Sequence, residues 1–96
     1  MLEHLTVDSF ADRERETFRL RREGEADLDL VLIEARGLRG AGEKRQPFSL
    51  VFHGPAEPVL DQMIRTLEHP DLGTLEIFLV PIGADSDGTR YEAIFT

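Results

Sequence analysis

The chain contains no cysteine. That absence removes disulfides, thiolate nucleophiles and cysteine-ligated zinc together, and it fits a reducing compartment. No segment approaches the ~18 consecutive apolar residues of a membrane-spanning helix. Met1–Leu5 has neither the basic region nor the apolar core of a signal peptide. Basic residues are the scarce sign, with 11 Lys and Arg against 19 Asp and Glu and a net charge of −8. Phosphate affinity comes from clustered Lys and Arg, so this balance opposes nonspecific binding to nucleic acid or anionic lipid. The expectation is a soluble, cytoplasmic protein with no nucleic-acid or membrane partner, its charge serving solubility.

The 96 residues make one domain, 1–96, and 41% hydrophobic residues supply one modest core. A domain this size buries only roughly 60–70% of its unfolded surface, which leaves little room for a deep active site.

The densest apolar run is Gly73–Ile82. Leu75, Ile77 and Leu79 share one side of a strand there, and Thr74, Glu76, Phe78 and Val80 the other. One side is apolar throughout, while the other begins polar and becomes apolar. The pattern predicts a strand covered on one face first and then on both. Turn signals flank it, His69–Gly73 before and Gly83–Gly88 after.

Other runs alternate in the same way. Phe18 and Leu20 face inward in Thr17–Arg21. Leu28, Leu30 and Leu32 line one face of Asp27–Arg36, and Asp29, Val31, Ile33 and Ala35 the other. With Gly24 between them the two runs predict a hairpin. Phe48, Leu50 and Phe52 define a third strand, ended by Gly54-Pro55. Met63–His69 has mixed faces and reads as an edge strand. In Arg90–Phe95, Tyr91, Ala93 and Phe95 share a face. Helix is confined to short turns, one near residues 6–12 with Thr6 as N-cap and Leu5 and Phe10 on the core, one near 58–62 anchored by Val59 and Leu60. About six strands at short spacing predict an all-β, mainly antiparallel domain, a small sandwich or partly open barrel.

The residue types that invite chemistry do not assemble into a motif. Gly37–Lys44 suggests a phosphate-binding loop, but that loop needs Gly-Lys-Ser/Thr opening a helix, so that backbone N–H groups face the phosphates. Glu43 stands at the lysine position, Lys44 at the hydroxyl position, and a strand follows, so this is a loop. His4, His53 and His69 have no acidic or histidine partner at helical metal-site spacing. His53 and His69 flank turns and are expected to cap loops by hydrogen bonding. Ser49 and His53 share a strand face, but four residues of strand separate them by about 13 Å, too far for a nucleophile and its base. Asp85-Ser86-Asp87-Gly88 places Gly83 and Ile94 where a calcium loop needs oxygen ligands, so a turn built on Asp and Gly is expected. No catalytic, cofactor or metal residue is assigned, and no cofactor is expected.

Phe48–Pro55, Leu60–Gln62, Leu67–Gly73, Phe78–Gly83 and Tyr91–Phe95 together resemble a family of small bacterial domains of unknown function. The family is about this chain's length, and its genes often lie beside genes for extracellular proteins with a phage-tail-collar domain. The resemblance is strongest over residues 48–95 and thins to Phe10, Phe18 and the leucines of 28–32. Arg65 stands where the pattern has an aromatic residue, and Met63 where it has a small one. The resemblance implies a role near phage-tail-like fibres or their assembly and carries no catalytic residues.

Three readings follow. In the first, the chain is a non-catalytic protein-interaction or assembly module, docking through exposed strand edges at Met63–His69 and Arg90–Phe95. Its candidate edge residues are Met63, Arg65, Leu67, Arg90, Tyr91 and Glu92. In the second it is a structural subunit of a tail-like particle that self-assembles. In the third a barrel mouth lined by His53, His69, Arg65 and Tyr91 takes a small anionic or sugar-like ligand.

Overall fold

The computed structural model of the chain describes residues 5–38 and 46–95. The glycine-rich loop lies outside the described residues from 39 to 45, as does His4. A short helix, α1 (Val7–Ala11), precedes six strands: β1 (Thr17–Arg21), β2 (Leu28–Gly37), β3 (Phe48–Gly54), β4 (Met63–His69), β5 (Gly73–Asp85) and β6 (Gly88–Phe95). Every ladder is antiparallel, and the sheet closes into a barrel in the order β1-β2-β3-β6-β5-β4. The chain thus makes two three-stranded meanders, β1-β2-β3 and β4-β5-β6, joined through β3–β6 and β1–β4. No helix among the described residues is long and apolar enough to cross a membrane.

Each long strand changes partner along its length. β2 pairs with β1 over Leu28–Val31 and with β3 over Val31–Gly37. β5 pairs with β4 over Gly73–Leu79 and with β6 over Val80–Asp85. The register shifts between Leu32 and Glu34 in one and between Pro81 and Gly83 in the other, leaving Ile33 and Ile82 as the extra residues. A bulge of this kind bends its strand and increases local twist, which lets one strand serve two walls.

The alternation sends Phe18, Leu20, Leu30, Leu32, Leu50, Phe52, Leu67, Leu75, Ile77, Leu79, Tyr91 and Ala93 into the interior, all buried. Side chains fill the lumen, as in other small barrels. In β5 the expected inner face is the observed one. Its other face is not covered: Phe78 and Ile82 are half exposed, because a barrel strand has a single inner side. In β2 the bulge also changes the phase. Glu34 opposes Val51 on the outside and Ala35 opposes Leu50 toward the core, so the growing apolar character of Val31 and Ile33 leads to no second covered face.

Both ends are stoppered. At one, α1 begins after Thr6, whose N–H donates to Ser9 Oγ at 3.0 Å, and it delivers Phe10 into a cage of rings. The Phe10 ring lies 6.5 Å from Phe18, 5.8 Å from Phe48 and 6.0 Å from Phe95, and Phe48 stacks on its cross-strand partner Phe95 at 4.6 Å. At the other end the connection from β3 to β4 folds over the opening. The expected helical turn after Pro58 is absent. The Leu60 N–H donates instead to the Tyr91 hydroxyl at 2.9 Å, which turns Leu60 into the barrel and leaves Val59 exposed.

Phe10→Ala removes the stopper of one end and should lower unfolding free energy by about 3–5 kcal/mol. Tyr91→Phe leaves the Leu60 N–H without a partner and should cost about 1–3 kcal/mol. Urea denaturation of both variants against the parent chain checks the order and the sizes.

Candidate functional site

The polar side chains most suggestive of chemistry sit at the α1 end, where the connection from α1 to β1 meets the β4–β5 turn. His69 is buried at the end of β4, its ring 4.6 Å from that of Phe18. Its Nδ1 accepts backbone N–H bonds from Asp71 at 3.0 Å and Leu72 at 3.3 Å. Nδ1 therefore carries no proton, and Nε2–H donates to Glu16 Oε1 at 2.6 Å. Arg13 Nη1 binds Asp71 Oδ2 at 2.7 Å and lies 3.8 Å from Glu16 Oε1. Both ring nitrogens are occupied, so in this arrangement neither is free to move a proton. His69 caps the turn that follows it, as expected from its position.

Beside this cluster a broad groove of about 510 Å³ runs over the outside of the wall, between Thr17 and Arg19 of β1, Glu68 and His69 of β4, and Thr74 of β5. Its charges are paired. Arg19 Nε lies 3.7 Å from Asp29 Oδ1, and Arg21 binds Glu68 Oε2 at 3.1 Å and Asp27 Oδ2 at 3.2 Å. The hydrogen bond to Glu68, followed by the charge of Asp27, raises the Arg21 pKa above its ordinary value.

The four residues of the expected barrel mouth do not converge. His53 lies at the far end of β3 with its ring against Gly88, while β5 runs the length of the barrel between that turn and His69. A side chain at Gly88 would meet His53 Nε2 and the Gly54 carbonyl, and the backbone there has φ +149°, so glycine is required twice over. Tyr91 points into the core. In the adjacent turn Asp85 Oδ1 accepts the N–H groups of Asp87 at 2.9 Å and Gly88 at 3.2 Å, which makes it an Asp-stabilised turn.

The expected strand edges are corrected by closure of the barrel. β6 is paired with β3 over Phe48–Gly54 and with β5 up to Glu92, and β4 lies between β1 and β5. Leu67 and Tyr91 are buried and present nothing outward. Arg90 lies across Gly83, with Nη1 3.8 Å from Asp85 Oδ2, and Glu92 opposes Val51 and Val80. Two parts of the expected edges keep an open side among the described residues: Ala93–Phe95 of β6, which pair with β3 alone, and the first part of β4. The β1–β4 ladder comprises Arg19↔Glu68, Leu20↔Leu67 and Arg21↔Thr66, so Met63, Ile64 and Arg65 have β5 alone as a strand partner among the described residues.

The cleft beside that opening is lined by Arg21, Arg22, Glu23 and Glu25, while apolar side chains stand exposed on the outer wall. Ile64 and Phe78 face each other directly across β4 and β5 and are 62% and 51% exposed. Met63 and Ile94 are exposed as well. Arg65 donates from Nη2 to the Asp61 carbonyl at 3.0 Å, makes no ion pair among the described residues, and holds a buried Nε with no hydrogen-bond partner. The apolar Ile64–Phe78 pair was hidden in the sequence by the expectation that the second face of β5 would be covered.

Replacing Glu16 by Gln keeps an oxygen acceptor for His69 Nε2–H and should cost under about 1 kcal/mol, while His69→Phe loses every bond of the ring and should cost about 1–3 kcal/mol. Urea denaturation measures the contrast, and long-range ¹⁵N–¹H spectra should show the His69 proton on Nε2.

The chain matches a family model, the domain of unknown function DUF6916, over residues 5–95, and it belongs to that family. This agrees with the small family of unknown function expected from the residues. No curated protein and no solved structure matches the chain.

Proposed function

We propose that this member of the DUF6916 family is a non-catalytic protein-interaction module that meets its partner with the outside of its barrel wall. The observation that carries the reading is the directly opposed, exposed pair Ile64–Phe78. Two large apolar side chains facing each other across neighbouring strands gain little from each other in water, and covering them contributes in proportion to the apolar area removed. Ile94, two residues past the end of the β5–β6 ladder at Val80↔Glu92, is an exposed apolar side chain of the same outer wall. The lumen, filled by aromatic and aliphatic side chains, supports a role for the outer wall rather than the interior. From the resemblance drawn on residues 48–95, the partner is a phage-tail-like fibre protein or a component of its assembly.

Exposed strand positions accept Thr at little cost, so Ile64→Thr with Phe78→Thr should keep the melting temperature within a few degrees. The test is co-purification with the products of genes neighbouring this one, alongside light scattering of the isolated chain. Capture of a neighbouring product, weakened at least about tenfold by the double substitution, is the expected result. A monomer that captures none of them, or a double variant that captures as well as the parent, refutes the module. Rings or fibres of the isolated chain would make it a particle subunit instead.

A further inference from the structure

At the end of the barrel away from α1, a cleft of about 350 Å³ separates the β1–β2 turn from the start of β4. Arg21, Arg22, Glu23 and Glu25 form one side of it and Met63–Thr66 the other. It exists because β1 stops opposite Thr66 while β4 begins three residues earlier. In a strand, alternate residues direct N–H and C=O to opposite sides. Over Met63–Arg65 those aimed away from β5 have no strand to meet, and an incoming extended chain can pair with them as a continuation of β1.

The charges of the cleft select among such chains. Arg21 is held by Asp27 and Glu68, and Arg22 by Glu25 at 3.2 Å and by the Ala26 carbonyl at 2.8 Å. Arg65 has no carboxylate partner among the described residues, and its buried Nε–H is unbonded. A buried donor left unpaired is costly, and a guanidinium binds a carboxylate through two N–H groups at once. Glu23, exposed on the opposite lip, repels a run of acidic residues. A second copy of the chain, paired edge to edge about a two-fold axis, would set the arginines of one cleft toward those of the other. These features fit one carboxylate between apolar neighbours.

We propose that the Met63–Arg65 edge receives an extended segment of a protein partner by strand addition, with a single Asp or Glu side chain of that segment bound to Arg65. The site rests on the interaction-module reading and names the chemistry of the partner at one place on the wall.

The test uses the blocked peptide acetyl-Thr-Val-Glu-Val-Thr-amide, added to the ¹⁵N-labelled full chain. The amides of Met63–Thr66 and the Arg65 Nε–H should shift together. Replacing Glu by Lys in the peptide should weaken binding at least tenfold, and N-methylation of its two valines should abolish it. Arg65→Gln, in a protein whose remaining spectrum is unchanged, should lose the preference for Glu over Lys. Should that variant fail to fold, the three peptides compared on the parent chain still decide. No shift at millimolar peptide, equal binding of the Glu and Lys peptides, or shifts confined to another face overturns the proposal. So do shifts at Met63–Arg65 that depend on protein concentration without peptide, because they place a second copy on the edge. If co-purification of a neighbouring product depends on Ile64 and Phe78 while the peptide does not bind, this proposal fails and the module stands. If the peptide binds and no product is captured, the reverse holds.

Discussion

The architecture depends on one demand placed on two strands: β2 and β5 must each pair with one neighbour at their start and a different one at their end. A flat strand cannot do this, since the two walls it joins run in different directions. The extra residues Ile33 and Ile82 supply the bend, and after each the next residue, Glu34 or Gly83, stays outside where regular alternation would have turned it inward. Closure follows from the bend, and from closure follows a single interior that every strand meets with one face, although in β3 the outer Ser49 and Val51 are buried as well. The exposure of Phe78 has the same origin. It is a regular outward residue of β5, and no second layer lies over it.

Closing the wall leaves two open ends, and the chain satisfies its polar groups there with side chains that resemble catalytic ones. At the α1 end, His69 accepts two backbone N–H groups while donating to Glu16, and Arg13 ties Asp71 to the same cluster. At the other, Tyr91 accepts the Leu60 N–H, Asp85 holds its own turn, and the Thr89 hydroxyl donates to the Ala56 carbonyl at 3.4 Å. Loops crossing a barrel end cannot use the strand ladder for their amides, so side chains next to them take that work. Histidine, tyrosine and aspartate at such positions are explained by the loops they secure.

Much of this was legible in local pattern. Phe18 with Leu20, Leu28–Leu32, Phe48–Phe52, Leu75–Leu79 and Tyr91–Phe95 alternate with period two, and a period-two run declares both its conformation and its buried side. The place of Phe10 was legible as well, through Thr6 and the single apolar turn after it. Three features were not. A bulge leaves no mark in the alternation until the partner register is known, so the phase changes after Ile33 and after Ile82 were invisible. Leu60 looked helical because its decisive contact, the Tyr91 hydroxyl, comes from a strand distant in sequence. Leu67 was read on an edge because mixed composition marked β4 as peripheral, whereas in a closed sheet polarity of the outer face says nothing about pairing; Tyr91 was read on one although its alternation with Ala93 and Phe95 already set it on their shared face. Arg65 shows the opposite case. A charged residue where the resemblance has an aromatic one was noticed as a departure, and it is a guanidinium without a carboxylate among the described residues.

The two meanders correspond strand for strand, short, long with a bulge, then intermediate, yet they differ where they meet. The β3–β6 seam is complete, running from Phe48↔Phe95 to Gly54↔Thr89. The β1–β4 seam is not, since β1 has 5 residues and β4 has 7. The shortfall is produced in the β1–β2 turn. Asp27 Oδ1 accepts the Arg22 N–H at 3.4 Å, Arg22 Nε donates to the Ala26 carbonyl, and Gly24 adopts φ +74°, a conformation that folds the chain back at once. Arg22 is thereby drawn into its own turn and cannot extend β1 to face Arg65. The open edge of β4 is thus set by the chemistry of another hairpin. A longer first turn would have zipped the seam and covered Met63–Arg65 with the chain's own backbone.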